Sequence, residues 1–295
     1  MINDKLILGI DFGGTWIRAA LIKDDTPGKP RIFKKKTIST RKADYIIDDI
    51  VGLIKDIEIK CKINISSIGI GVPTTINSNN KLDFCRNLPT MNNYPLQEVL
   101  QKRLSKSIFI ENDANCYAYG EWLLGVAQGS KLLACITIGT GIGLGIIYKG
   151  KILRGTSGKA GEIWCSPIDI LTDRQTPGYL EPFVSGKGIE DYYQKITGHK
   201  LSGEEVYSLA KNNNINAISV FNVFGSYLGN VIRWIINILD PDLIVLGGSV
   251  SRAMSLFIKP LLEKANCDEK LIAQSKLFEL AAIYGAAQFA RMKLK

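Results

Sequence analysis

The amino-acid sequence predicts an internally duplicated α/β protein. Apolar runs of buried-strand type alternate with helical periodicity along the chain. A layout of strand, glycine-rich turn and second strand also occurs twice, at residues 6–22 and again at 133–148. The chain has 295 residues, enough for two modest domains. Its 46% hydrophobic and 22% charged content is that of a chain that folds around a core rather than a disordered one.

The elements follow in order. A strand at 6–10 runs into Asp11-Phe-Gly-Gly-Thr15, after which 17–22 resumes the apolar pattern. Residues 44–59 have the apolar spacing of a helix, and 68–72 read as a strand stopped by Pro73. A short strand at 108–110 precedes Glu111-Asn-Asp-Ala-Asn115, whose N-cap residue types open a helix through Trp122. The second strand-turn-strand unit is centred on Gly139-Thr140-Gly141. A helical pattern then covers 213–238, and Asp240-Pro-Asp242 leads into a strand at 243–246 that Gly247-Gly248 closes. A helix begins near Ser251, and an Ala-rich helix at 280–291 follows.

Composition removes whole classes of chemistry. The one histidine, His199, lies in a polar, turn-like context and is given no role; alone it cannot supply a two-His metal site. None of the six cysteines forms a Cys-x-x-Cys pair, and several sit in apolar runs, as reduced thiols of a cytosol do. The apolar stretch at the N-terminus is too short for a signal peptide. The uncharged run 132–148 falls short of a membrane span, and its alternating glycines describe a hairpin. The expectation is a cytoplasmic protein with no membrane partner.

The net charge is +9, and the stretch 23–42 carries eight Lys or Arg against Asp24 and Asp25. Nucleic-acid binding is one reading of that stretch. A solvated hairpin edge is favoured, because Pro27, Gly28 and Pro30 break the segment and no aromatic ladder interleaves the bases.

Standard nucleotide motifs are absent. Gly155-Thr-Ser-Gly-Lys159 has the wrong glycine spacing for a P-loop, with Ala160 where Ser or Thr would hold magnesium. What remains is three glycine-rich turns at strand ends (13–15, 139–141, 247–248), where backbone N–H groups meet an anion without Cβ obstruction. Asp11 either accepts from magnesium-bound water near a phosphate or satisfies turn amides. Asp113 is either an N-cap or a base that takes the proton of an attacking hydroxyl. Glu162 and Glu181 are either sugar ligands or ordinary loop carboxylates.

Eight motifs in order resemble the ROK family (repressor, open reading frame, kinase) of the actin-like ATPase and sugar-kinase superfamily. They are Asp11-Phe-Gly-Gly-Thr-Trp-Ile-Arg18, Gly69-Ile-Gly-Val-Pro73, Asn87-Leu-Pro89, Glu111-Asn-Asp-Ala-Asn115, Gly139-Thr-Gly-Ile-Gly143, Gly161-Glu-Ile163, Asp240-Pro-Asp-Leu-Ile-Val-Leu-Gly-Gly248 and Gly285-Ala-Ala287. The resemblance implies a duplicated, two-lobed actin-like (ribonuclease H-like) fold closing around MgATP and a hexose. The lobes are expected at 1–112 with 281–295, and at 113–280. It implies Asp113 as the base for the sugar 6-hydroxyl. Asn112, Glu162 and Glu181 would bind ring hydroxyls, with Asn87, Pro73 and Thr74 also at the sugar. Asp11, Gly13, Gly14, Thr15, Arg18, Gly139, Thr140 and Gly141 would surround the phosphates, Asp11 holding Mg2+ through water. Gly247 and Gly248 would lie against adenosine.

One departure is specific. Members of this family usually carry Gly-Glu-Ile-Gly-His and then a Cys-x-Cys-Gly-x-x-Gly-Cys zinc knuckle. This chain has Gly161-Glu-Ile-Trp-Cys165 and no cysteine between Cys165 and Glu181. It looks similar in this to archaeal broad-specificity hexokinases. Repressors of the family carry a helix-turn-helix domain ahead of the first phosphate motif, and ten residues before Asp11 are too few for one, so no nucleic-acid partner is expected. The expected activity is transfer of the γ-phosphoryl group of ATP to O6 of glucose. Alternatives are a kinase for mannose, fructose, N-acetylglucosamine or N-acetylmannosamine, or a non-catalytic sugar sensor; a homodimer is compatible with the resemblance. Metal analysis of the purified protein is expected to find no stoichiometric zinc, and one zinc per chain would overturn the reading of the segment after Cys165.

Overall fold

The computed structural model describes residues 6–23, 28–167 and 179–294. Pro27, invoked above as a breaker, and 168–178, most of the segment where the knuckle would lie, fall outside the described residues. The chain divides into two compact units, one of Met1–Gln128, Gly150–Ala160 and Glu279–Lys295, the other of Gly129–Lys149 and Gly161–Phe278.

In the first unit, β1 (Leu6–Phe12) and β2 (Trp16–Lys23) form an antiparallel hairpin across the 13–15 turn. β3 (Phe33–Lys36) pairs with the outer edge of β2. After α1 (Ala43–Cys61), β4 (Ser67–Val72) pairs parallel to β1; after α2 (Leu96–Leu104), β5 (Ser107–Asn112) pairs parallel to β4. The strand order is β3-β2-β1-β4-β5. All six residues of β4 are buried, which explains its continuous apolar run: a central parallel strand is covered on both faces. α1 buries Ile46, Ile47, Ile50, Ile54 and Ile57 at helical spacing and stops where Lys62 turns left-handed.

α2 was not anticipated, whereas β3 is the hairpin edge favoured for the basic stretch. Lys34, Lys35 and Lys36 mask β3, which is an edge strand; charged side chains on an exposed edge are ordinary. Part of the basic stretch is neutralised locally, since Lys35 and Arg41 each reach Asp49 at 3.0 Å.

Parallel pairing sets one row at the carboxyl end of this sheet, Asp11 beside Gly71 and Gly71 beside Glu111. α3 (Asp113–Leu124) starts directly after β5, so Asp113 stands two residues beyond Glu111 in that row.

The second unit repeats the plan. β6 (Leu132–Ile138) and β7 (Ile142–Tyr148) form a hairpin. The short β8 (Lys151–Ile152) lies on the 150–160 segment, which groups with the first unit. Then come α4 (Gly186–Thr197), α5 (Gly203–Lys211) and α6 (Ile215–Leu239). β9 (Leu243–Gly247) runs parallel to β6, and β10 (Ile272–Gln274) follows α7 (Met254–Ala265) and pairs parallel to β9. The order β7-β6-β9-β10 matches β2-β1-β4-β5 strand for strand, so the duplication is structural. α6 is long and apolar enough to cross a membrane, a property the sequence reading gave to no segment; half of its most apolar window is buried in this unit's core, including Phe221, Phe224, Leu228 and Ile232.

The C-terminal helix α8 (Glu279–Leu294) belongs to the first unit and buries nine of its residues from Ala281 to Ala290. It seats backbone against backbone. A Cβ on Gly9 would lie 2.2 Å from the Ile283 carbonyl oxygen, and one on Gly69 would lie 1.9 Å from that of Ala286. On its other side α3 approaches as closely: a Cβ on Gly285 would lie 1.7 Å from the Cys116 carbonyl oxygen, and one on Gly120 2.0 Å from that of Ala281. This packing corrects the expected boundary at 112/113. α3 cannot leave the first unit, because it is locked onto α8. The structural boundary falls after residue 128, and 150–160 returns to the first unit.

Gly285→Ala is expected to lower stability by about 2 kcal/mol or more, because neither backbone can retreat. Gly28→Ala, with nothing within 4 Å of the new methyl, is expected to be neutral. Thermal unfolding of the two variants distinguishes them; equal midpoints would refute the close-approach account.

Candidate active site

The two hairpin turns share a device. In the first, Gly13 N–H donates to the Trp16 carbonyl at 3.0 Å and Thr37 donates its amide to the Thr15 carbonyl at 2.9 Å and its hydroxyl to the Gly13 carbonyl at 2.8 Å. In the second, Gly139 N–H donates to the Gly141 carbonyl at 2.9 Å, and the Gly139 carbonyl accepts from Gly186 at 2.7 Å. Gly13 and Gly139 therefore close the turns. Among the described residues, the amides of Gly14, Thr15, Thr140 and Gly141 donate to no protein acceptor. Two adjacent unpaired N–H groups on a tight turn form a nest suited to an anion such as phosphate. Gly14 is pressed by Asn87, whose backbone oxygen would lie 3.1 Å from a Cβ there. Asn87 thus sits against the first turn, not apart from it as a sugar ligand alone.

Asp11 accepts from Arg18 at 3.1 Å across the β1–β2 hairpin. Burial pushes its carboxyl above the usual range, and Arg18 opposes that push. A cation beside Asp11 would favour the ionised form in the same way. Among the described residues no three His, Cys, Asp or Glu side chains gather as a metal cluster. A single hard oxygen donor beside unpaired amides fits Mg2+ that keeps its waters and is carried mainly by phosphate oxygens.

At the far end of the same row, Asn112 caps α3 by accepting the Asn115 amide at 3.0 Å. Asp113 is the first residue of the helix, and its Oδ1 accepts the Ala114 amide at 2.7 Å. The positive end of the helix dipole favours its ionised form. Gly71 lies against this helix start, where a Cβ would be in ordinary contact with the Asp113 Cα at 3.4 Å. Cys116, one turn along, has its thiol pushed well above the usual range by burial first and then by the charges of Glu111, Asp113 and Asp11. That shared influence places Asp11 and Asp113 around one region of the first unit. Pro73 follows β4 directly, and Thr74 is buried with its hydroxyl donating to the Phe84 carbonyl at 3.0 Å.

In the second unit, Glu162 accepts from the Trp164 indole N–H at 2.6 Å, and the exposed Cys165 thiol donates to the Glu162 carbonyl at 3.3 Å. Glu181 lies on the 139–141 turn: its Oε2 accepts the Ile142 amide at 3.2 Å and would be 2.1 Å from a Cβ on Gly141. The sequence reading treated Glu181 with the sugar ligands alone, and the structure adds this role in shaping the turn. Gly247 ends β9, and Gly248 has φ of 81°, with a Cβ there falling 2.3 Å from the Ile138 carbonyl oxygen.

These positions can be set beside known proteins. The model of the ROK family matches residues 7–293. The chain belongs to the ROK family. A glucokinase of Halalkalibacterium halodurans is 31% identical over 88% of this chain and 84% of its own. An N-acetyl-D-glucosamine kinase of Haemophilus influenzae is also 31% identical, over 82% and 84%. Among solved structures, a Streptomyces griseus ROK family glucokinase in complex with glucose and AMPPNP superposes with a TM-score of 0.83 at 24% identity, covering 97% of this chain and 99% of its own. The α/β fold, with its two mixed sheets, is that of ROK sugar kinases and of the actin-like ATPases.

Sequence reasoning missed two features of the ROK chain. Ser185 is fully buried and caps α4, whose first residue, Gly186, abuts the Gly139 carbonyl; the Ser-Gly-Lys-Gly stretch 185–188 was the available signal. Arg154 pairs with Glu111 from 43 residues away, a separation that no local pattern reveals.

Gly248→Ala is expected to lower the unfolding midpoint by several degrees, since a side chain there meets both a left-handed backbone and a fixed carbonyl; such strain costs about 1–3 kcal/mol. In Gly141→Ala the obstructing atom is the far end of a long side chain, that of Glu181, and not a backbone carbonyl. Its midpoint is expected within about 2 °C of the parent. Differential scanning calorimetry of both variants tests the contrast.

Proposed function

We propose that this chain is an ATP-dependent hexokinase that transfers the γ-phosphoryl group of MgATP to the 6-hydroxyl of glucose. The observation that carries the reading is Asp113: a carboxylate at the first position of a helix, with Oδ1 accepting the Ala114 amide, in a ROK chain whose relatives include a glucokinase. In the proposed reaction the sugar O6–Pγ bond forms as the bond from Pγ to the β-phosphate bridging oxygen breaks, and the hydroxyl proton passes to Asp113. Asn112 holds the sugar beside the base, and the backbone at Pro73 and Thr74 lines the same part of the first unit. Glu162, steadied by Trp164, and Glu181 bind ring hydroxyls from the second unit. The free amides of Gly14, Thr15, Thr140 and Gly141 orient phosphate oxygens, with Arg18, Gly13 and Gly139 shaping those turns, and Gly247 and Gly248 lie against adenosine. MgATP supplies the transferable group and the metal that neutralises its charge, with Asp11 holding the Mg2+ waters. We assign the protein to the cytoplasm, with no zinc at Cys165.

A second reading has a specific support: the N-acetyl-D-glucosamine kinase matches at the same identity as the glucokinase. Cys165 occupies the position where the family usually has a histidine on the sugar, so the ring contacts of relatives do not transfer directly.

A coupled ADP-release assay over glucose, mannose, fructose, N-acetylglucosamine and N-acetylmannosamine decides between the two, with glucose expected to give the highest kcat/KM. Binding without turnover of any sugar would identify a sensor instead. Asp113→Asn is expected to lower kcat by about 10^2–10^4-fold while glucose binding by calorimetry persists; near-normal turnover would remove Asp113 as the base.

A further inference from the structure

Glu111 has 4% of its surface exposed and stands in the same row as Gly71 and Asp11. An isolated buried carboxylate costs several kcal/mol, so its partners matter. They are divided between its two oxygens. Oε1 accepts the Asn112 amide at 2.9 Å and the Asn115 side-chain N–H at 3.0 Å. Oε2 accepts from Arg154, through Nε at 2.7 Å and through a second guanidinium nitrogen. Two N–H groups on one edge of the planar guanidinium thus converge on a single carboxylate oxygen, a preset pair of donors that the point charge of a lysine ammonium does not reproduce.

The residues held by Oε1 flank Asp113 on both sides. Asn112 precedes it and caps its helix, and Asn115 follows it by two. Asp113 is therefore suspended between two points that both hang from Glu111. Arg154 is itself held, its guanidinium lying over the Phe289 ring of α8 at 5.3 Å. Its carbonyl accepts the Ala160 amide at 3.0 Å, closing a loop whose Lys159 reaches Asp83 at 3.7 Å. Asp83 in turn accepts the Thr75 hydroxyl at 3.2 Å, next to Thr74. The 150–160 segment thus touches both the helix start that carries Asp113 and the loop after β4.

We propose that Arg154 is a positioning residue for Asp113, acting through Glu111, and that 150–160 belongs to the first unit because it completes this support. The claim about rate rests on the sugar-kinase reading above; the claim about the helix start does not. Misplacing a reacting group by about 1 Å costs on the order of a hundredfold in rate. Arg154→Ala is expected to lower kcat about a hundredfold while changing the hexose KM less than threefold. Arg154→Lys, with one contact in place of two, is expected to fall between. Guanidinium ion at millimolar concentration is expected to restore part of the kcat of Arg154→Ala and none of that of Asp113→Asn. Glu111→Gln combined with Arg154→Ala is expected to cost no more than the worse single variant, as two residues of one chain of contacts do.

Hydrogen exchange reads the same support without activity. Arg154→Ala is expected to speed exchange at Ala114 and Asn115 while α1 and α6 are unchanged. Unchanged exchange at those two amides would overturn the proposal even if the parent enzyme proved inactive on every sugar. In an active parent, so would additive losses in the double variant, or a kcat within threefold of the parent. Should Arg154→Ala not fold, Arg154→Lys carries both measurements.

Discussion

The first unit depends on one contact, the seating of α8 directly on the backbone of β1, β4 and α3. Side chains normally set the distance between a helix and a sheet, and here glycines remove them. Gly9 and Gly69 admit the helix to the strands, and Gly120 and Gly285 bring two helices together with no Cβ between them. Backbone carbonyls in such contacts cannot rotate aside as side chains do, so the distance is fixed. The carboxyl end of β5 and the first turn of α3 are held against this layer, and with them Asp113. α6 and α7 repeat the device in the second unit, where a Cβ on Gly225 or Gly229 would lie about as close to α7 carbonyls, at 2.5 and 2.4 Å.

Upon that frame each unit builds a turn with a shortage of acceptors. Among the described residues, folding leaves the amides of Gly14, Thr15, Thr140 and Gly141 without protein partners, a cost that water meets in part and an anion meets better. The carboxylates around them are handled differently from one another. Asp11 is half-buried and tempered by Arg18, Glu181 is tied to a turn amide, and Asp113 keeps one oxygen on its own helix. Four carboxylates in similar company thus acquire distinct characters, with Glu111 the one committed wholly to support.

Much of this was legible in the residues. Asp11-Phe-Gly-Gly-Thr15 and Gly139-Thr-Gly141 announce themselves because a tight strand turn near an anion admits few residue types, and the duplicated hairpin followed from them. The N-cap residue types of 111–115 placed a helix start there; the cap is Asn112, and Asp113, read as a candidate N-cap, is instead the first residue of the helix. What stayed hidden depended on distance along the chain or on burial. The bounds of β3 stayed hidden within the favoured hairpin edge, because edge strands tolerate Lys34 to Lys36. The lobe boundary fell at the wrong end of α3, since a helix that follows a strand directly gives no sign of which sheet it will cover. Arg154 carries no local signal, because its partner Glu111 lies 43 residues away in the chain.

The chain order has a consequence for synthesis. The second unit is complete once residue 278 has been made, but the first lacks the helix that covers β1 and β4 until the chain reaches 294. A protein leaving the ribosome from its N-terminus ordinarily finishes its first domain first. Here the order is inverted. The central strands of the N-terminal sheet, with Gly9 and Gly69 uncovered, must wait through the making of an entire second unit, and a ribosome that stops at residue 278 releases one unit able to close its core and one that cannot.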